Sequence, residues 1–274
     1  MNFSKVLPAL LVAVAAVFML VSCSDNAAEP APPTGNNGAL TIEFDNIVGD
    51  KNLVLNGAAN TNAAGEDFVL TKFNYYVSNI RLLRQDGTSY TVPQDSSYFL
   101  IMEDKKESQF VRLKNVPPGT YTGLEFMLGV DSLRNTMSLD KWTGVLDPGG
   151  SMMEDGMYWA WESGFIFLKM EGTSSKASTA NGKFYYHIGL YGGMTLRTVN
   201  NTRVVKLSFG DLKAEVTTTQ TPEVHLFADV QKVFNGPGTN LSIAAFSSVM
   251  TQQQEKASQI ANNYAKMFSV DHIH

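Results

Sequence analysis

The sequence predicts an all-β fold: a β-sandwich with a long inserted loop and a C-terminal α-helix. From Ala39 on, short runs that alternate apolar and polar residues recur at roughly ten-residue spacing, punctuated by Gly, Pro, Asn and Asp. Between Val130 and Asp155 the rhythm lapses and turn formers take over, which is the mark of a long loop. Near the end the apolar period lengthens. Ala257, Ile260, Ala261, Tyr264, Met267 and Phe268 fall on one face of a helix, opposite Gln252 to Lys256, Asn262 and Lys266.

The chain opens with residues 1–22, which read as a lipoprotein signal peptide. Lys5 supplies the positive start, and Leu7 to Val21 is an apolar run short for a membrane span. Leu20-Val-Ser-Cys23 puts a small residue directly before a cysteine, the pattern of lipidation at Cys23 and of a membrane partner reached through a lipid anchor. Residues 23–38 form a flexible tether, because Pro30, Pro32, Pro33 and the Gly-Asn-Asn-Gly run leave almost nothing apolar to bury. Residues 39–274 then form a single domain, expected in the cell envelope at the outer membrane, on its periplasmic or surface face. Cys23 is the only cysteine, so that domain has neither disulfide nor thiolate ligand. A net charge of −5 and a pI near 5.4 argue against nucleic acid as a partner.

Within the domain, strand runs occur at Leu40–Phe44, Phe73–Val77 leading to Ile80–Leu83, Ser89–Val92 and Tyr98–Ile101, with a turn at Gln85-Asp-Gly87. Phe110–Leu113 and Tyr121–Leu128 flank the turn Pro117-Pro118-Gly119 as a hairpin. After the loop, Met157 to Ser163 alternates as a strand, with Trp159 and Trp161 on one side and Glu162 on the other. Phe165 to Leu168 is continuously apolar and therefore buried on both faces. Met152, Met153 and Met157, at the loop's far end, suit the filling of irregular gaps beside the aromatics better than a copper entry path. Lys183–Leu190, Thr202–Phe209, Lys213–Thr218 and Glu223–Phe227 continue the sheets.

All four histidines lie in the last third: His187, His225, His272 and His274. In an extended tail His272 and His274 share one side, with Ile273 opposite, which makes Asp271-His-Ile-His274 the sharpest local metal signal. His187 lies in a strand beside Tyr185, and His225 shares a strand face with Glu223, Phe227 and Asp229. The ligand set expected is His187, His272 and His274, with His225 as a weaker fourth. Imidazoles without thiols suit copper, with zinc as the usual competitor. Glu162 or Asp271 can accept the second ring N–H of a ligating histidine.

Five blocks in order resemble the MbnP-like family of extracytoplasmic copper-binding proteins. They are Gly129-Val-Asp131 to Asn135, the Met157-Tyr-Trp-Ala-Trp161 block, Leu168 to Gly172, His187-Ile-Gly189, and Asn263-Tyr264 through Met267-Phe268 to Val270–His274. The resemblance implies an exported, mostly β protein that binds copper through histidines for acquisition or handling. It further implies a di-haem partner of the cytochrome c peroxidase type and a tryptophan oxidised at the site, for which Trp159 and Trp161 are the candidates. The family's Trp-x-His motif falls on Trp159-Ala-Trp161, where a tryptophan replaces the histidine, and Leu190 to Met194 lacks the cysteine of some relatives. A surface lipoprotein binding glycan or protein through its aromatics is the alternative. Catalysis is not expected, since no nucleophile motif such as Gly-x-Ser-x-Gly occurs.

Overall fold

Alternation in Gly38–Val48 sets up the smaller sheet: Leu40, Ile42, Phe44, Asn46 and Val48 are buried, while Glu43, Asp45 and Ile47 lie on the opposite face. The computed structural model describes residues 36–150, 155–159 and 164–274, so the signal peptide, Cys23 and most of the tether lie outside the described residues. Gly38–Val48 runs parallel to Glu223–Asp229 on one edge. On its other edge it pairs antiparallel with Phe110–Val116 and, at its end, with Lys51–Asn52. Phe268–Ile273 joins antiparallel on the far side of Glu223–Asp229, giving a five-stranded sheet among the described residues.

Among the described residues a ten-stranded sheet faces it, centred on the seventeen-residue strand Asp67–Leu83. That strand bends where its register shifts between Ser78 and Arg81; Asn79 takes φ +53° there, a conformation that asparagine tolerates better than most side chains. Gly164–Thr173 pairs with the first half of that strand and Gly123–Leu128 with its second half, on the edge opposite Tyr98–Met102, and Lys183–Gly189 and Arg203–Ser208 lie beyond them. Thus the strand content and the sandwich read from the alternation are both present.

The two sheets share one core. Phe44 from the small sheet, Tyr75 and Phe126 from the large one, and Phe268 from the last strand meet edge to face at centroid distances of 5.0–6.3 Å. Such pairs each contribute about 0.5–1.5 kcal/mol beyond simple burial. A second cluster packs on the back of the large sheet, where Tyr76, Phe165 and Phe167 meet Trp142, Leu146, Met157 and Trp159. The long segment after Val130 therefore carries buried anchors. It forms the short helix Ser132–Asn135 and 3₁₀ turns at Leu139–Lys141 and Gly144–Leu146, and Trp142 Nε1 donates to the Arg134 carbonyl at 2.9 Å. Tyr158 and Trp159 pair with Phe165 and Gly164, while Met152, Met153, Trp161 and Glu162 lie outside the described residues.

The C-terminal helix is Gln254–Tyr264, with Ala257, Ile260, Ala261 and Tyr264 buried. It stops earlier than the apolar period suggests. The Met267 N–H donates to the Tyr264 carbonyl in a closing turn, and Phe268 then begins a strand. The core needs the Phe268 ring between the sheets, and a continued helix would carry it away.

Candidate metal centre

The outer face of the small sheet brings together residues far apart in the chain. On Glu223–Asp229, burial of Val224, Leu226 and Ala228 leaves Glu223, His225, Phe227 and Asp229 facing outward. Register sets His225 opposite Glu43 on one neighbour and opposite His272 on the other.

A β-bulge shapes the last strand. Ala228 pairs with Phe268, Phe227 with Ser269 and Leu226 with Val270, but His225 pairs with His272, so Asp271 is an extra residue. Simple alternation from the inward Phe268 would turn His272 and His274 inward as well. The inserted Asp271 resets the phase, so that Val270 and Ile273 follow the inner side and His272 and His274 the outer one. The pair of hydrogen bonds between the Glu223 and His274 backbones, at 2.9 and 3.3 Å, extends the pairing to the end.

The resulting geometry is close. Asp271 Oδ2 lies 2.8 Å from His225 Nδ1 and 2.7 Å from His272 Nδ1, and the two Nδ1 atoms stand 3.3 Å apart. Because a carboxylate only accepts, both imidazoles donate to it. His272 Nε2 lies 2.7 Å from His274 Nε2, so one of these rings donates to the other. On its far side His225 Nε2 is 3.6 Å from both Glu43 Oε2 and Asp45 Oδ2. Burial by itself would raise the Asp271 carboxyl, but the hydrogen bonds from His272 and His225 outweigh it and hold that group below the usual carboxylate range.

These residues fit a metal ion. Donors 2.0–2.1 Å from a tetrahedral ion stand about 3.3 Å apart, which is the separation of the two Nδ1 atoms. Asp271 Oδ2 needs to open by only about half an ångström to join them. His225 and His272 must give up their Nδ1 protons on binding, and the Glu43 and Asp45 carboxylates, 3.6 Å from the other ring nitrogen of His225 and not hydrogen-bonded to it, favour a proton there electrostatically. Among the described residues this is the group of His, Asp and Glu able to hold an ion.

The expected residues divide between two places. His225, His272, His274 and Asp271 come together, and His225, the weaker candidate in sequence, lies at the centre. His187 stands on the other sheet with its Nε2 2.7 Å from Glu171 Oε1, and Lys169 Nζ lies 3.7 Å from that same oxygen. The structure does not bring it to the cluster. Trp159 is buried in the second core against Gly189, where a Cβ would meet its ring at 2.6 Å. Cys23, Trp161 and Glu162 lie outside the described residues. Sequence reading missed Glu43 and Asp45. Their signal was two acids at i and i+2 on the polar side of an alternating strand, opposite buried Ile42 and Phe44.

Comparison with known proteins gives three results. A family model described as MbnP matches residues 37–267. The solved structure described as MbnP from Methylosinus trichosporium superimposes with a TM-score of 0.55 at 16% identity, covering 85% of this chain and 98% of that one. Identity so low establishes likeness of fold alone. No curated protein matches the sequence.

Proposed function

Because this chain belongs to the MbnP family, we propose that it binds copper outside the cytoplasm through His225, His272 and Asp271, with His274 beside them. The family supports the copper-related extracytoplasmic role. The observation that carries the ligand assignment is the convergence of two Nδ1 atoms and one carboxylate oxygen within 2.7–3.3 Å of one another. Bound copper supplies the electron-accepting centre. The chain supplies two imidazoles and a carboxylate, with Glu43 and Asp45 as negative charges 3.6 Å from the other ring nitrogen of His225.

The role is acquisition or handling of copper rather than catalysis. Leu20-Val-Ser-Cys23 supports export and anchoring by lipid at Cys23, with the proline-rich tether as spacer. A di-haem peroxidase-like partner and oxidation of Trp159 or Trp161 belong to the same reading, on the strength of the family resemblance. Copper titration of the purified protein tests the site. One copper is expected per chain, with His225→Ala and His272→Ala each weakening binding at least tenfold, or about 1.4 kcal/mol. His187→Ala is expected to leave affinity within twofold. Loss of binding in His187→Ala with His225→Ala unaffected would refute the assignment.

A further inference from the structure

We propose that Lys169 and Asn74 are the partners of an intramolecular isopeptide bond, formed by attack of the Lys169 amine on the Asn74 side-chain amide with release of ammonia. The pair lies on the back of the ten-stranded sheet, away from the histidine cluster, and does not depend on the copper reading.

The Asn74 amide is the observation that calls for chemistry. Asn74 is fully buried, yet neither its Oδ1 nor its Nδ2 has a hydrogen-bond partner among the described residues. An unpaired buried amide is costly and rare in folded proteins. Phe73 and Tyr75 turn into the core shared by the two sheets, so Asn74 points to the opposite face, the one that carries Tyr76.

Register sets a lysine directly across from it. Lys169 pairs with Asn74 between the antiparallel strands Gly164–Thr173 and Asp67–Leu83. Such partners share a face, with Cβ atoms about 4.5–5.5 Å apart, a gap that the flexible four-carbon stem of lysine spans. The Lys169 side chain is only 12% exposed. Its Nζ donates to the Asp155 and Gly156 carbonyls at 3.2 and 3.1 Å, and rotation about the stem carries it from these acceptors to Asn74 Cγ.

Glu171 is the proton carrier. It follows Lys169 by two residues and so shares its face, with Oε1 3.7 Å from Nζ. The hydrogen bond from His187 at 2.7 Å holds the Glu171 carboxyl below its ordinary value and keeps it in the base form. Burial outweighs the neighbouring negative charges and lowers the Lys169 amine, which eases its deprotonation to a nucleophile.

The step balances without an oxidant. Glu171 takes one proton from the Lys169 ammonium, and the freed Nζ attacks Asn74 Cγ to form the new C–N bond. Glu171 returns that proton to Nδ2, the Cγ–Nδ2 bond breaks and ammonia leaves. Nζ then gives a second proton to Glu171, which passes it to the departing ammonia. One ammonium and one primary amide become one secondary amide and one ammonium ion, and no atom changes oxidation state. The product ties the long central strand covalently to its neighbour.

Proteolytic peptide mapping of the full-length protein by tandem mass spectrometry tests this. The peptides holding Asn74 and Lys169 are expected joined, lighter than their sum by one ammonia. Asn74→Ala and Lys169→Arg are each expected to abolish the joined peptide, and Glu171→Gln to lower its fraction at least tenfold. Recovery of the two peptides separately from the parent protein overturns the inference, as does a joined peptide that persists in Asn74→Ala. An unchanged fraction in Glu171→Gln overturns its role as the proton carrier. The parent protein alone decides whether the bond forms, so a variant that fails to fold does not shield the inference.

Discussion

Deleting Asp271 isolates what the bulge contributes. Every other pair in the last strand already has a regular partner: His225 with His272 on one side of the bulge and Leu226 with Val270 on the other. Removal of one residue therefore joins two correct registers, and His272 and His274 keep the outer face. What is lost is a carboxylate making hydrogen bonds of 2.7 and 2.8 Å to two half-exposed or buried imidazoles. At a surface site such charged contacts contribute about 0.2–1 kcal/mol each. Against that loss, about 1 kcal/mol of backbone ordering for the extra residue no longer opposes folding. The two nearly cancel, so the melting temperature should move by less than about 4 °C in a domain of this size. Copper affinity should fall at least tenfold, about 1.4 kcal/mol, because one of three ligands is gone. Asp271→Ala, which retains the bulge, should lose a similar amount. Calorimetric melting and copper titration on both variants provide the assay. A deletion that melts more than 10 °C lower, or that binds copper as the parent does, refutes the reasoning; the 10 °C bound is about 3 kcal/mol.

Two stability predictions follow from the interior. Buried Glu66 accepts from Asn62 Nδ2 at 2.8 Å, Ser242 Oγ at 2.8 Å and the N–H groups of Ile243 and Ala244 at 2.7 and 3.1 Å. Burial alone would raise its carboxyl, but these donors together hold it below its ordinary value. Its stabilisation is thus complete above that ordinary value and fades as pH falls through the depressed one. Glu66→Gln should cost about 2–3 kcal/mol near pH 7 by urea unfolding, and the gap from the parent should narrow below about pH 4. Phe268→Ala removes a ring in contact with Phe44, Tyr75 and Phe126, and should cost about 3–5 kcal/mol in the same measurement.

Local chemistry was legible from the sequence alone. The period-two runs marked the strands and the sides of Glu223–Asp229 that turn inward, because alternation follows from the backbone's own geometry. The same geometry made His272 and His274 neighbours on one side of an extended segment, and the period of Ala257 to Tyr264 marked the helix. Family blocks spread along the chain carried the kinship. Only the tertiary structure decided that the four-residue terminus is a paired strand, that Asp271 is the extra residue of a bulge, and that His225 rather than His187 meets the pair. Those facts depend on which strands lie side by side and in what register. Both are fixed by burying Phe44, Leu226 and Phe268 in one core, a long-range condition that no window of sequence contains. Glu43 and Asp45 reach His225 for the same reason, across a parallel pairing of two strands about 180 residues apart.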